Sequence, residues 1–131
     1  MLKPEFIFFN YSYQRPDNNI SIANFTDLPL DFNLVKDQRL VNFPAGTIGG
    51  NHFHSRTEWF LPLGDLTIYW QDSDQSLHHQ FISHRDSDQL CLIKIPSLLP
   101  HALKNHSSEP LFMLEFADET GSSDSQPALL L

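Results

Sequence analysis

The chain has 131 residues, of which 40% are hydrophobic and 18% are charged, a composition that predicts a folded globular domain and argues against a disordered chain. Its 16 acidic and 8 basic residues give a net charge of −8, which argues against a nucleic acid or an anionic membrane surface as the main partner. Because the sequence has no run of eighteen apolar residues and does not begin like a secretory signal, we expect a cytoplasmic protein with no membrane partner.

Short apolar or β-branched runs alternate with turn-forming residues along the chain, at a spacing of about ten residues per run. No convincing stretch of apolar residues at helical period interrupts this pattern. The sequence therefore predicts an all-β sandwich or barrel. The predicted strands, in chain order, are Phe6–Phe9, Ile20–Phe25, Leu30–Val35, Leu40–Phe43, Thr57–Leu63, Leu66–Gln71, Leu77–Ser83, Leu90–Ile95 and Leu111–Phe116.

The last residues differ in composition from the runs before them. Asp118–Pro127 is polar and rich in small residues, which predicts a loose tail. The apolar end, Ala128–Leu131, either docks on the body of the domain or frays. We expect a single domain over residues 1–131, with residues 118–131 as its tail.

Histidine is over-represented: the 7 histidines are about twice the usual share for a chain of this length. Cys91 is the single cysteine, and its position in the apolar run Leu90–Ile93 predicts a buried, unreactive thiol in a reducing compartment. Four histidines are predicted to be solvated surface groups: His78, His79, His84 and His106.

Gly64-Asp65 separates two predicted strands and fits a two-residue turn of type II′. The resulting hairpin would pair Trp59 with Trp70. One face would then carry Trp59, Leu61, Leu63, Leu66, Ile68 and Trp70. The opposite, mixed face is typical of the lining of a site, and it would carry Glu58, Phe60, Thr67, Tyr69 and Gln71.

Candidate metal ligands lie in the segment from Gly46 to Glu58. His52 and His54 are two residues apart, so an extended chain points both to one side, and Glu58 can return to that side after a small kink. Two imidazoles and a carboxylate suit a divalent first-row transition metal. The alternative is that both histidines are polar residues of a wet strand and that Glu58 belongs to a surface ion pair.

These residues resemble the first motif of the cupin superfamily, which appears here as Gly46-x5-His52-x-His54-x3-Glu58. The resemblance extends over about residues 39–117. It implies a small double-stranded β-helix, the jelly-roll barrel of cupins.

The second cupin motif, Gly-x5-Pro-x-Gly-x2-His-x3-Asn, is matched by Pro96, His101 and Asn105. Its two glycines are replaced by Leu90 and Leu98, so the loop before His101 departs from the family pattern. Together the two motifs imply that one divalent transition metal (Fe, Mn, Ni, Co, Cu or Zn) is bound inside the barrel. The implied ligands are His52, His54, Glu58 and His101.

Cupins use such a site in oxygenases, decarboxylases, isomerases and non-catalytic binding proteins, so the fold does not determine the reaction. We expect a metal-dependent enzyme that acts on a small oxygen-rich substrate such as a keto acid or a sugar. One alternative is a sugar-nucleotide isomerase or epimerase of polysaccharide biosynthesis, because residues 50–119 resemble the small cupin domains of those pathways. The other is a module that binds a small ligand without turning it over.

Tyr69 is the candidate catalytic residue, because the predicted hairpin places it beside Phe60 and on the face of Glu58. The alternative is a core tyrosine. Glu115 could face either the barrel or the solvent. The six apolar residues on the other face of the hairpin need a cover, which is either the N-terminal runs of the chain or a second subunit. We expect a homodimer whose interface centres on Trp59 and Trp70.

Overall fold

The computed structural model describes residues 2–84, 88–121, 124–128 and 130–131. The strands are β1 (Glu5–Asn10), β2 (Tyr13–Gln14), β3 (Ser21–Ile22), β4 (Asp37–Phe43), β5 (Ile48–Phe53), β6 (Glu58–Pro62), β7 (Leu66–Gln71), β8 (Leu77–Ile82), β9 (Gln89–Ile95), β10 (His101–Lys104), β11 (Leu111–Ala117) and β12 (Gln126–Pro127). Short 3-10 turns cover Phe25–Asp27 and Phe32–Leu34. Among these residues no helix is long and apolar enough to cross a membrane.

Two five-stranded antiparallel sheets face each other. The first has the strand order β1-β9-β6-β11-β4 and the second has the order β12-β5-β10-β7-β8. The interior core draws Phe60, Ile93 and Met113 from the first sheet and Ile68 and Leu103 from the second. Burying side chains of this size contributes about 1.5–3 kcal/mol each, so the space between the sheets holds much of the stabilising apolar surface. The all-β jelly-roll prediction is confirmed.

The predicted hairpin between the fifth and sixth predicted strands is wrong. β6 pairs with β9 and β11, whereas β7 pairs with β8 and β10, so the two strands lie in different sheets. Gly64-Asp65 is the point where the chain passes from one sheet to the other. Every residue of β6 is buried, because this strand is covered on both of its faces. The alternation of side chains along β6 therefore does not indicate which strand β6 pairs with.

The outer face of the first sheet is covered by the N-terminal part of the chain. Trp59 and Leu61 lie on this face and are 6% and 3% exposed. Ile7 and Phe9 of β1 extend this layer within the sheet, and the residues after β3 that pack over it include Ala23, Leu28, Leu30, Phe32 and Val35. Ile68 and Trp70 instead belong to the interior core. Of the two expected covers, the N-terminal runs and a second subunit, the structure shows the N-terminal part of the chain over Trp59 and Leu61. The expected interface centred on Trp59 and Trp70 is not available, because the two residues lie in different sheets and Trp59 is already buried.

Other elements also differ from the sequence prediction, among them the strands β2, β10 and β12, which were not predicted. The predicted strand at Leu30–Val35 contains a 3-10 turn, and the Asp31 carboxylate accepts a hydrogen bond from the backbone N–H of Asn33 at 3.0 Å. An Asp side chain that bonds the backbone two residues on favours a turn over a strand. Conversely, β5 lies outside every predicted strand, in a segment that contains two consecutive glycines. Its pairing with β10 outweighs the low strand propensity of Gly49 and Gly50.

Candidate metal centre

The four predicted ligands meet at one end of the barrel. His52 lies near the end of β5 and His101 at the start of β10 in the second sheet, while Glu58 begins β6 in the first sheet. His54 follows β5 directly. One donor atom from each residue lies within 4.8 Å of the others. The structure thus brings together a carboxylate and three imidazoles contributed by both sheets.

A bulge in β5 directs His52 into this group. His52 is opposite His101, but Gly50 is opposite Ala102, so Asn51 is an extra residue in β5. Both Gly50 (φ +82°) and Asn51 (φ +56°) have left-handed backbone conformations, and a Cβ on Gly50 would lie 3.0 Å from the His101 carbonyl oxygen. A bulge of this kind re-aims a side chain next to a site, and here only glycine fits at position 50.

The Nδ1 atoms of the three histidines, which point away from the cluster, each lie near an oxygen atom. Nδ1 of His101 donates to the Leu99 carbonyl at 2.9 Å, and Nδ1 of His54 donates to the Arg56 carbonyl at 3.2 Å. Nδ1 of His52 is 3.4 Å from Oγ of Ser125, in the C-terminal segment. A carbonyl accepts only, so the proton of the neutral ring in His54 and His101 sits on Nδ1 and Nε2 offers its lone pair to the centre of the cluster.

Two buried atoms of the cluster have no hydrogen-bond partner among the described residues: Nε2 of His54 and Oε1 of Glu58. They lie 2.9 Å apart, and Nε2 of His101 is 3.5 Å from the same oxygen. Lone pairs that face each other in a buried site are unfavourable unless a proton or a cation lies between them. The donor set, nitrogen and carboxylate oxygen, is one that divalent transition metals accept, so these residues fit such an ion.

The electrostatics of the cluster favour a neutral His52 beside a charged carboxylate. Burial, followed by the neighbouring His101 and His54, lowers the pKa of His52 to about 4. Burial alone would raise the pKa of the Glu58 carboxyl, but its interactions with His101 and His54 hold that pKa well below the usual range. Both states are those that metal binding requires, since a ligand must be deprotonated to coordinate.

Arg56 is a site residue that the sequence analysis missed. Its side chain is buried, and its guanidinium donates from Nη2 and Nε to Oε2 of Glu58 at 2.7 and 3.1 Å. Arg56 lies two residues before Glu58, so a local signal existed: a buried carboxylate requires a nearby cation.

A cavity of about 370 Å³ opens beside the cluster. Its apolar walls include Val41, Phe43, Phe60, Leu103 and Met113. The polar lining includes Asn42, Thr47 and Glu115, together with three of the four predicted ligands. Among the described residues no lysine or arginine lines the cavity. Of the two orientations left open for Glu115, the structure shows the one toward the cavity. Burial and then the neighbouring Glu58 raise the pKa of its carboxyl to about 8.

Tyr69 does not join the cluster. It is opposite Ala102 in the second sheet, and its ring lies 5.8 Å from the ring of His79. Its neighbours on β7, Ile68 and Trp70, point into the core, so Tyr69 lies on the outer face of the sheet. The placement beside Phe60 depended on the hairpin that does not form.

The remaining histidines lie away from the cluster. His79 and His106 are exposed, as predicted. His84 is half-buried at the rim of a separate groove. His78 is also half-buried, because it stacks on Trp70 and pairs with the buried Asp72. Cys91 is buried as predicted, and burial raises the pKa of its thiol to about 11.

The loop before His101 forms without the glycine of the second cupin motif. Leu98 takes the left-handed conformation (φ +69°), and its N–H donates to the His54 carbonyl at 2.8 Å. Asn105, after β10, is fully buried, and its side-chain amide donates to the carbonyls of Phe43, Pro44 and Glu109. Asn105, which matches the second motif, thus links the loops that contain these carbonyls.

The sequence matches no protein-family model and no curated protein sequence. Solved structures do match. The capsular polysaccharide assembling protein CapF from Staphylococcus aureus superposes on 72% of the chain with a TM-score of 0.64 and 18% identity. An oxalate oxidase in complex with the substrate analogue glycolate matches 66% of the chain (TM-score 0.55, 19% identity), and the oxalate decarboxylase of Bacillus subtilis matches 69% (TM-score 0.56, 20% identity).

The matched regions amount to 27%, 43% and 23% of those three chains, so this chain spans less than half of each. At these identities the likeness shows the fold. The jelly-roll barrel that the cupin resemblance implies is thereby confirmed. The metal-binding role of the four clustered residues stays a prediction.

Proposed function

We propose that this chain binds one divalent transition metal through His52, His54, Glu58 and His101, and that it is an enzyme acting on a small oxygen-rich molecule. The observation that carries the proposal is the buried, unpartnered pair of Nε2 of His54 and Oε1 of Glu58 within the four-residue cluster, as seen among the described residues. When bound, a metal with these ligands would supply a Lewis acid or a redox centre.

The protein residues around the cluster would bind and orient the substrate. The cavity has the size of a small-molecule site, and its apolar walls exclude water from one side of the cluster. The carboxyl of Glu115 lies in the lining, where it can exchange a hydrogen bond with a substrate oxygen. Asn42 and Thr47 add polar groups that can fix the orientation of the substrate.

The lining favours a small acid or sugar over a sugar nucleotide. The diphosphate of a nucleotide sugar needs cationic partners, and no lysine or arginine of the described chain lines the cavity. Oxalate and glycolate, the molecules named with two of the similar structures, are small oxygen-rich acids. The fold likeness to CapF supports the alternative, a sugar-nucleotide isomerase or epimerase of polysaccharide biosynthesis.

Metal analysis of protein purified without added metal is the first test. We expect about one transition metal per chain in the wild type and none in His52→Ala or His101→Ala. Tyr69→Phe is the matched control, because Tyr69 lies on the outer face of the sheet and its loss should leave the metal content unchanged. Full metal content in both histidine variants would contradict the proposed site.

A ligand screen on the metal-loaded protein separates the functions. Thermal shifts with small keto acids, hydroxy acids and sugars, followed by turnover assays, would support the proposed enzyme. Shifts with nucleotide sugars alone would support the alternative, and shifts without turnover would indicate a binding module.

We retain the homodimer as a proposal with a different interface. On the outer face of the first sheet, Leu40 on edge strand β4 is 66% exposed and its diagonal neighbour Phe112 is 44% exposed. Exposed apolar residues of this kind favour association of two copies. A native mass measurement at micromolar concentration tests it, and a mass of one chain would contradict it.

A further inference from the structure

Arg56 lies directly behind Glu58, on the side away from the histidines. It is 4% exposed, and its Nη2 and Nε both donate to one oxygen, Oε2 of Glu58. Charge-assisted hydrogen bonds of 2.7 and 3.1 Å are strong interactions in a buried site. Oε2 of Glu58 is therefore already hydrogen-bonded to Arg56.

The guanidinium is itself held in place by further acceptors. Nη1 donates to the Gly121 carbonyl at 2.8 Å and to Oδ2 of Asp37 at 3.3 Å, and Nη2 reaches Oε1 of Glu115 at 3.3 Å. These partners come from β4, β11 and the C-terminal segment. A planar fork with this many partners cannot turn away from Glu58 without breaking several buried hydrogen bonds.

The two oxygens of Glu58 consequently face different surroundings. Oε2 accepts from Arg56, whereas Oε1 faces His54 and His101 and has no hydrogen-bond partner among the described residues. The geometry points to Arg56 as a positioning residue that restricts Glu58 to one-oxygen coordination. If an ion that prefers six ligands is bound, a fifth protein donor would thereby be kept off it, and two positions would stay open for a substrate that binds through two oxygens.

This inference depends on the proposed metal site, and its test separates the two. Mn(II) is the probe, and the quantity measured is the water-proton relaxivity per bound Mn(II), which reports the number of waters on the ion. In Arg56→Lys, the ammonium cannot make the two hydrogen bonds to Oε2 that the guanidinium makes, so Glu58 is free to bind the ion through both oxygens. We expect relaxivity per bound ion to fall about twofold, as two water positions become one.

Asp37→Asn is the matched control. It removes the charge of a different partner of Arg56 and leaves the two hydrogen bonds to Glu58 in place, so its relaxivity per bound ion should equal that of the wild type. Unchanged relaxivity in Arg56→Lys, or an equal fall in Asp37→Asn, would overturn the inference.

If Arg56→Lys fails to fold, a crystal structure of the unaltered protein loaded with Mn(II) decides the question. Only Oε1 of Glu58 on the ion, with Oε2 on Arg56, supports the inference, and both oxygens on the ion overturn it. Failure of the unaltered protein to bind Mn(II) or any other transition metal would instead reject the proposed function.

Discussion

Nε2 of His54 and Oε1 of Glu58 face each other at 2.9 Å in a buried site, and neither has a hydrogen-bond partner among the described residues. Because Nδ1 of His54 is engaged by the Arg56 carbonyl, a neutral His54 turns a lone pair toward the carboxylate. Only a proton or a cation between the two atoms removes this cost. A bound metal should therefore stabilise the folded protein at this pair, and protons should compete with the metal for it.

Metal should stabilise the folded protein. A ligand that binds only the folded state at a hundred times its Kd adds about 2.7 kcal/mol to the free energy of unfolding. We expect urea denaturation with Mn(II) or Zn(II) at that concentration to show a gain of this size over protein in a chelator. His52→Ala should show no gain. An equal gain in both proteins would indicate binding elsewhere on the chain.

Protons should compete with the metal at His54. Burial lowers the pKa of His54, but its interaction with Glu58 outweighs this and raises that pKa above the ordinary value of 6.5. The pKa of His52, at about 4, leaves that ring neutral over the same range. Titrations from pH 8 to pH 5 should therefore show metal affinity falling as the pH drops through and below neutrality. A constant affinity above pH 5 would contradict this prediction.

Glu115→Gln should stabilise the metal-free protein at alkaline pH. The pKa of Glu115 is about 8 in the fold against an ordinary value of 4.5, so its stabilising contribution is complete below pH 4.5 and is lost as the pH rises through 8. A glutamine at this position cannot ionise. We expect denaturant unfolding to show equal stability of the two proteins at pH 4 and an advantage of about 1–2 kcal/mol for the variant at pH 9. Lower stability of Glu115→Gln than of the wild type at pH 9 would refute this prediction.

Leu98→Gly and Gly50→Ala should have opposite effects on stability. Leu98 has a positive φ and is 56% exposed, so glycine relieves backbone strain at little loss of apolar burial, and we expect a gain of about 1 kcal/mol. Gly50 also has a positive φ, and an added Cβ would crowd the His101 carbonyl. Its substitution should cost about 1–3 kcal/mol. Thermal unfolding of both variants checks the pair, and a loss of stability in Leu98→Gly would contradict the strain argument.

The C-terminal segment should support His52. Ser125 lies within reach of Nδ1 of this ring, β12 pairs with the end of β5, and the Asn51 side chain accepts from the backbone N–H groups of Leu130 and Leu131. Removal of residues 124–131 should weaken Mn(II) binding by about tenfold, as the loss of an outer partner of a ligand usually does. Ser125→Ala should show part of this loss in a metal titration, and Ser125→Thr should restore it. Wild-type affinity in the truncated protein would show that His52 needs no such support.

The sequence by itself determined the features that depend on local spacing. The alternation of His52 and His54 places both rings on one side of the chain, and the spacing to Glu58 adds a carboxylate to the cluster that the structure assembles. His101 lies far along the chain, and its place in the cluster was implied by the resemblance to the second cupin motif and not by local spacing. The frequent turn residues predicted an all-β chain. These inferences held because backbone geometry over a few residues is set by the residues themselves.

Tertiary structure alone decided which strands and side chains became neighbours. β6 and β7 separate into different sheets although a turn joins them, and this moved Tyr69 to an outer face and put Trp59 under the N-terminal segment. Asp37 on β4 and Glu115 on β11 reached Arg56 because β4, β11 and β6 are neighbours in the first sheet. Strand pairing is a long-range choice made by burial of whole faces, and residues near in sequence carry little information about it.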